Sequence, residues 1–189
     1  MTKRNKELEN IKNKVIDCKA CPLYKNRIYP VVGEGNHSAD IIFVGEAPGA
    51  QESKTGRPFC GAAGKILDEL LDSAGINRKD IYITNILKDR PPKNRDPQSE
   101  EIKSCVPYLE KQIEIIKPKL VCSLGRHAMI FLMERFGLSE ELDQISKIHG
   151  KAFEADSFKF IPFYHPAVAV YNANMKETLK KDFKILKTI

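Results

Sequence analysis

Residues 40–64 read DIIFVGEAPGAQESKTGRPFCGAAG. A short apolar run, Ile41-Ile42-Phe43-Val44, stops at Gly45, crosses a glycine-rich loop and enters a segment of helical period. The run is too short for a helix and rich in β-branched and aromatic residues, so it reads as a buried strand. Three more runs repeat the pattern at residues 81–85, 120–125 and 160–165, each closing on Asn, Gly or His. Amphipathic stretches lie between them. Residues 63–74 put Ile66, Leu67, Leu70 and Leu71 on one face and stop at Gly75; residues 99–116 open on Ser99 and stop before Pro118; residues 126–136 run between Gly125 and Gly137. Met175, Leu179, Phe183 and Leu186 give residues 173–187 the same period, and a helix around residues 5–17 precedes the first cysteines. Alternating strand and helix predicts an α/β fold, a three-layer α/β/α arrangement with a central four-stranded parallel sheet, with residues 1–189 as a single domain.

No apolar run approaches the roughly 20 residues that cross a bilayer, which excludes a helical membrane protein. Residues 1–17 are charged throughout and lack the apolar middle of a signal peptide, so a cytoplasmic location without disulfides is expected. The net charge of +6 is concentrated: residues 1–30 hold eight Lys/Arg against three Asp/Glu. Such a basic region suits a solvated surface and also a phosphate backbone.

In a parallel sheet covered on both faces, ligands sit at the carboxyl ends of the strands. The residues there are Glu46 to Gly49, Asn85 to Arg95, Gly125 to His127 and His165-Pro166. The glycine-rich loop lacks both the Gly-Lys-Ser/Thr ending of a P-loop and the dinucleotide spacing. It offers instead a carboxylate at the strand end, Glu46, and Phe59 in the stiff Arg57-Pro58-Phe59 segment. Singly, each of these residues fits a cap, turn or core position. With Asn85 and His165 at neighbouring strand ends they outline a pocket for a planar heterocycle: a ring to stack, an amide to read an edge and an imidazole to stabilise charge on a carbonyl oxygen. Cys18-Lys19-Ala20-Cys21 has the gap that lets two thiolates reach one centre, compatible with zinc, an iron-sulfur cluster or a redox pair. Cys122, inside an apolar run, reads as a small buried hydrophobe.

GEAPG with the following GRPFCGAAG, then TNILKDRPPKNRDP with Cys105 behind it, then His165-Pro166-Ala167, together closely resemble the family 4 uracil-DNA glycosylases, in order from about residue 18 to residue 171. The resemblance implies the uracil-DNA glycosylase fold and hydrolysis of the N-glycosidic bond of deoxyuridine in single- or double-stranded DNA, by a monomer associated with the nucleoid. It implies Glu46 and His165 as catalytic groups, with Ala47, Gly49, Phe59 and Asn85 holding the base. It also implies a 4Fe-4S cluster on four cysteines, whose positions here are Cys18, Cys21, Cys105 and residue 89, which is Asp. With Asp89 three outcomes follow, carboxylate being a harder donor than thiolate: an Asp-ligated four-iron cluster, a three-iron cluster with an empty corner, or a site damaged by natural or engineered substitution. Lys88, Arg90, Lys93 and Arg95 are expected to contact phosphates from a loop stiffened by Pro91 and Pro92. Where relatives carry leucines and an arginine after His-Pro, this chain has Val168-Ala169-Val170-Tyr171. Val168 and Ala169 would then be a small wedge that flips bases from duplex less well than from single strands. The alternatives are a nucleic-acid-binding module without turnover and an electron-transfer protein.

Overall fold

The structure, a computed structural model, describes residues 2–187. Met1, Thr188 and Ile189 of the expected 1–189 domain lie outside the described residues. Helix α1 (Lys3–Asp17) is capped by Thr2, whose Oγ1 accepts the Asn5 N–H at 3.2 Å. Strands β1 (Glu34–Gly35) and β2 (Ile41–Gly45) follow, then helices α2 (Ala50–Thr55) and α3 (Ala62–Ser73). Strand β3 (Tyr82–Asn85) leads through the basic loop to α4 (Ser99–Ile116), and β4 (Leu120–Leu124) to α5 (Arg126–Arg135). The chain closes with α6 (Ile145–Ile148), β5 (Phe153–Glu154), β6 (Lys159–Phe163), α7 (Ala167–Tyr171) and α8 (Met175–Phe183).

The sheet order is β1-β3-β2-β4-β6-β5. Its centre, β3-β2-β4-β6, is parallel throughout, as the sequence pattern predicts. Six strands are present among the described residues rather than four. The extra two are two-residue antiparallel pieces, β1 on β3 and β5 on β6, too short to leave an apolar run. At Gly35 the approach to β3 is so close that a Cβ would lie 2.0 Å from the Ile81 carbonyl oxygen.

Alternation along the strands divides the core. Ile42, Val44, Val121 and Phe160 face α1, α4 and α5, packing with Leu8, Leu109, Ile116 and Met129. Phe43, Cys122, Ile161 and Phe163 point the other way, onto α3 and α8, where Leu67, Leu71, Leu179 and Phe183 meet them. A sheet buried on both faces reads as continuous apolar runs, which is why its strands were visible in the sequence. From β2 the chain builds β3 on one side and β4 on the other, so the connections diverge beside the carboxyl end of β2, where a crevice opens.

Candidate active site

A recess of about 300 Å³ lies at that crevice, with Glu46, Phe59, Asn85 and His165 among its walls. The four residues come from different segments, yet the fold brings them together. Asn85 ends β3 with its backbone in register with Gly45 of β2. Two further hydrogen bonds prolong this pairing past the strand ends, Ile86 N–H to Gly45 O (2.9 Å) and Leu87 N–H to Glu46 O (3.0 Å). Gly45 is the floor: a Cβ there would sit 2.4 Å from Asn85 Oδ1 and 2.8 Å from the Phe59 ring. Asn85 is 2% exposed, and its Oδ1 has no hydrogen-bond partner. A buried acceptor left unpaired costs about 1–3 kcal/mol, a cost that a donor entering the recess beside Asn85 would relieve.

Phe59 packs its ring 5.6 Å from that of His165, at 31°. Its backbone lies in the left-handed region (φ 46°), a strain of about 1–3 kcal/mol that neighbours must enforce. They do so from three sides. Glu52 Oε1 accepts the Cys60 and Gly61 N–H groups at 3.0 and 2.9 Å, and Arg78 Nη2 donates to Pro58 O at 2.7 Å. Gly64 lets α3 approach, since a Cβ there would fall 1.9 Å from Phe59 O.

His165 accepts the Ala167 N–H on Nδ1 (3.1 Å), which leaves the proton on Nε2. Burial pulls its pKa down to about 4, so the imidazole is a neutral donor at physiological pH. Glu46 is half-buried, and desolvation raises its pKa above the ordinary carboxylate range. His127 and Arg126 oppose that rise and Asp96 adds to it. Ligand atoms of Glu46, Asp96 and His127 lie within 4.8 Å of one another. Sequence reading placed His127 at a strand end without giving it a role, and missed Asp96 and Glu52, which belong to a loop and a helix start whose meeting depends on the crossover geometry.

The basic loop divides. Lys88, expected on a DNA face, is 1% exposed and points inward. Its Nζ donates to Thr84 Oγ1, Asn85 O and Gln112 Oε1, each at 2.8 Å, and burial lowers its pKa to about 7. Lys88 therefore ties α4 to the strand end that carries Asn85. Lys88→Met should orphan those acceptors and lower stability by roughly 1–3 kcal/mol in urea titrations, an unchanged midpoint being the contrary result. The signal for this network was Gln112, a polar residue between Leu109 and Ile116 on the buried face of α4. Arg90 and Lys93 do border solvent. Arg95 is exposed too, but Glu101 holds its guanidinium on both carboxylate oxygens. Ala169, expected as a wedge, is 8% exposed and packs in the core. Val168 is half-buried beside that core, and the exposed side chains of α7 are Val170 and Tyr171, the latter 89% exposed.

Below the recess, Cys18, Cys21, Cys105 and Asp89 surround a second, small chamber, with Arg27 and Tyr108 among its walls. Each thiol meets a donor: Leu23 N–H at Cys21, Lys88 N–H at Cys105 and the Tyr108 hydroxyl at Cys18. Burial pushes the Cys21 thiol up and Cys105 to about 11. No three ligand atoms of this set lie within 4.8 Å of one another. Thiolates sharing one zinc would be about 3.8 Å apart, from a tetrahedron with 2.3 Å bonds, so the set is too open for a single ion. It suits a larger polynuclear group whose sulfurs accept hydrogen bonds.

A family model described as the uracil DNA glycosylase superfamily matches residues 32–187. The type-4 uracil-DNA glycosylase of Sulfurisphaera tokodaii is 46% identical over 188 residues, covering 96% of this chain and 84% of that protein. Those of Archaeoglobus fulgidus and Thermotoga maritima are 45% and 44% identical, covering 94% and 91% of this chain and 90% and 88% of theirs. The fold, the recess and these matches define the class: the chain belongs to the uracil-DNA glycosylase superfamily. Within that superfamily it is a member of the type-4 family.

Proposed function

We propose that the chain removes uracil from DNA by hydrolysing its N-glycosidic bond, leaving an abasic site for base excision repair. The unpaired Asn85 Oδ1 carries this reading: it is an acceptor at the end of a recess, and uracil presents a donor, N3–H, where cytosine presents a lone pair. The Asn85 amide N–H₂ would donate to uracil O4. Leaving the base stack costs a few kcal/mol. Stacking on Phe59 recovers roughly 1–3 kcal/mol of that. His165 donates Nε2–H to uracil O2 as the leaving base becomes anionic. Ionised Glu46 orients the attacking water and stabilises the cationic sugar, and the backbone amides of Ala47 and Gly49 complete the base contacts.

The pH dependence follows from Glu46. It acts as the carboxylate and its pKa is raised, so the rate should fall as pH drops through a value above the ordinary Glu range. Asp96→Asn removes a charge that raises this pKa and should move the acid limb to lower pH. Arg126→Gln removes an opposing cation and should move it higher. Limbs that stay in place in both variants would take Glu46 out of this role.

On the DNA side, Arg90, Lys93 and Arg95 meet phosphates, with the charge of Arg95 largely offset by Glu101. The wedge falls to the end of α7, where Val168 leads to exposed Val170 and Tyr171. Cys18, Cys21 and Cys105, with position 89 as the fourth corner, fit an iron-sulfur cluster, by their open spacing and their N–H and O–H donors to sulfur. When bound it would cross-link the N-terminal segment, through Cys18 and Cys21, to α4, through Cys105. The enzyme acts as a cytoplasmic, nucleoid-associated monomer on single- or double-stranded DNA. The type-4 relatives favour turnover over binding alone. An oligonucleotide with one uracil, incubated with iron-loaded protein and treated with alkali, should be cut at that position; an uncut strand would reject the proposal.

A further inference from the structure

We infer that Arg27 withholds Asp89 from iron, so that the cradle of Cys18, Cys21 and Cys105 holds a cluster in which one iron lacks a protein ligand and exchanges with solution. This rests on the reading of the cradle as an iron-sulfur site.

The geometry is a fork on a fork. Arg27 Nε donates to Asp89 Oδ1 at 2.7 Å and Nη2 to Oδ2 at 2.6 Å, so both carboxylate oxygens are engaged. The remaining nitrogen, Nη1, donates to Ile16 O at 2.6 Å, at the end of α1. This third bond restrains Arg27 from following the carboxylate. Asp89 is buried and Arg27 is partly so, with side chains 5% and 14% exposed. Drawing Asp89 onto iron would break a part-buried, doubly hydrogen-bonded ion pair and leave the guanidinium without its counter-charge, which is costly. Hydrogen bonding from the guanidinium also weakens a donor that is already harder than thiolate. No other thiol can take the corner: Cys122 lies inside β4, and Cys60 pairs with Thr55 Oγ1 beside the recess. The ion pair ties residue 89 to the segment after Cys21, so the loop keeps a link at the corner where the family pattern has a thiolate.

An iron without a protein ligand is the one lost on mild oxidation. A four-iron cluster in the 2+ state gives one electron to ferricyanide and releases one ferrous ion, leaving a three-iron cluster in the 1+ state; charge and atoms balance. The experiment uses protein loaded anaerobically with ferrous iron and sulfide, then desalted. Iron and sulfide per chain and the electron paramagnetic resonance spectrum are read before and after one equivalent of ferricyanide. The expected result is loss of one iron in four with sulfide retained, appearance of a three-iron signal, and restoration by ferrous iron with a reductant. Asp89→Ala should behave alike, whereas Asp89→Cys should keep all its iron and stay silent. Iron retained in the wild-type protein would overturn the inference, even if Asp89→Ala does not fold, and loss only in Asp89→Ala would make Asp89 a ligand. Iron and sulfide absent from both the wild type and Asp89→Cys would instead remove the cluster reading itself.

Discussion

Asn85→Asp is expected to cut the preference for uracil over cytosine by roughly 10⁴-fold, the scale on which a site built to hydrogen-bond its substrate rejects an analogue of the wrong polarity. The amide presents Oδ1 to N3–H and N–H₂ to O4. Cytosine reverses both, placing a lone pair against Oδ1 and an amino group against the amide hydrogens. Close packing against Gly45, where no room remains for even a Cβ, keeps the Asn85 amide at one place on the wall of the recess. An aspartic acid there is buried, which raises its pKa and favours the protonated form. Protonated, it offers O–H to cytosine N3 and a carbonyl to the amino group, the reverse pattern. Uracil excision should fall at the same time, because the acid has a single proton, which serves O4 only when it leaves the oxygen that faces N3. Paired oligonucleotides differing only in U or C, cleaved under single-turnover conditions, give the ratio directly. A ratio unchanged from the wild type would mean that selection occurs before the base reaches Asn85.

His165→Ala should lower the single-turnover excision rate by about 10²- to 10³-fold, the usual loss when one donor to a developing anion is removed. Affinity for uracil-containing DNA should stay close to that of the wild type, since the bond strengthens only as charge grows on the leaving base. The pH profile separates this role from a general-acid role. With a pKa near 4, His165 is already neutral over the working range, so its removal should lower the whole profile without moving the acid limb. A limb that vanished with His165 would make it the titrating group and displace Glu46. A proportional loss of binding and rate would instead assign His165 to holding Phe59, its ring neighbour at 5.6 Å.

The central sheet was legible because burial on both faces leaves unbroken apolar runs, and α4 was legible to the residue because Ser99 and Pro118 bracket its period. Strands β1 and β5 were not, being two residues each and defined only by their partners. The walls of the recess were legible because strand ends concentrate chemistry in this fold. The direction of a side chain was harder to foresee. A lysine in a basic loop looks like a surface cation, and only the buried acceptors of Thr84, Asn85 and Gln112 turn Lys88 inward. Ala169 was misplaced similarly: a short helix turns one face to the core, and its position on α7 puts Ala169 on that face. Asp89 stood out as a departure from a cysteine pattern, but its partner Arg27 lies 62 residues away and no local signal pairs them.

The left-handed backbone at Phe59 bears on how lesions in different settings compare. Glu52 and Arg78 fix that peptide segment without any nucleotide present, so this wall of the slot is already formed in the unliganded enzyme. Little of the protein then remains to be ordered at encounter, and the work of engagement lies on the nucleic-acid side. Whether a lesion is repaired quickly would be governed by how readily its own helix lets it swing out, making the enzyme a gauge of local duplex weakness as much as a reader of base identity.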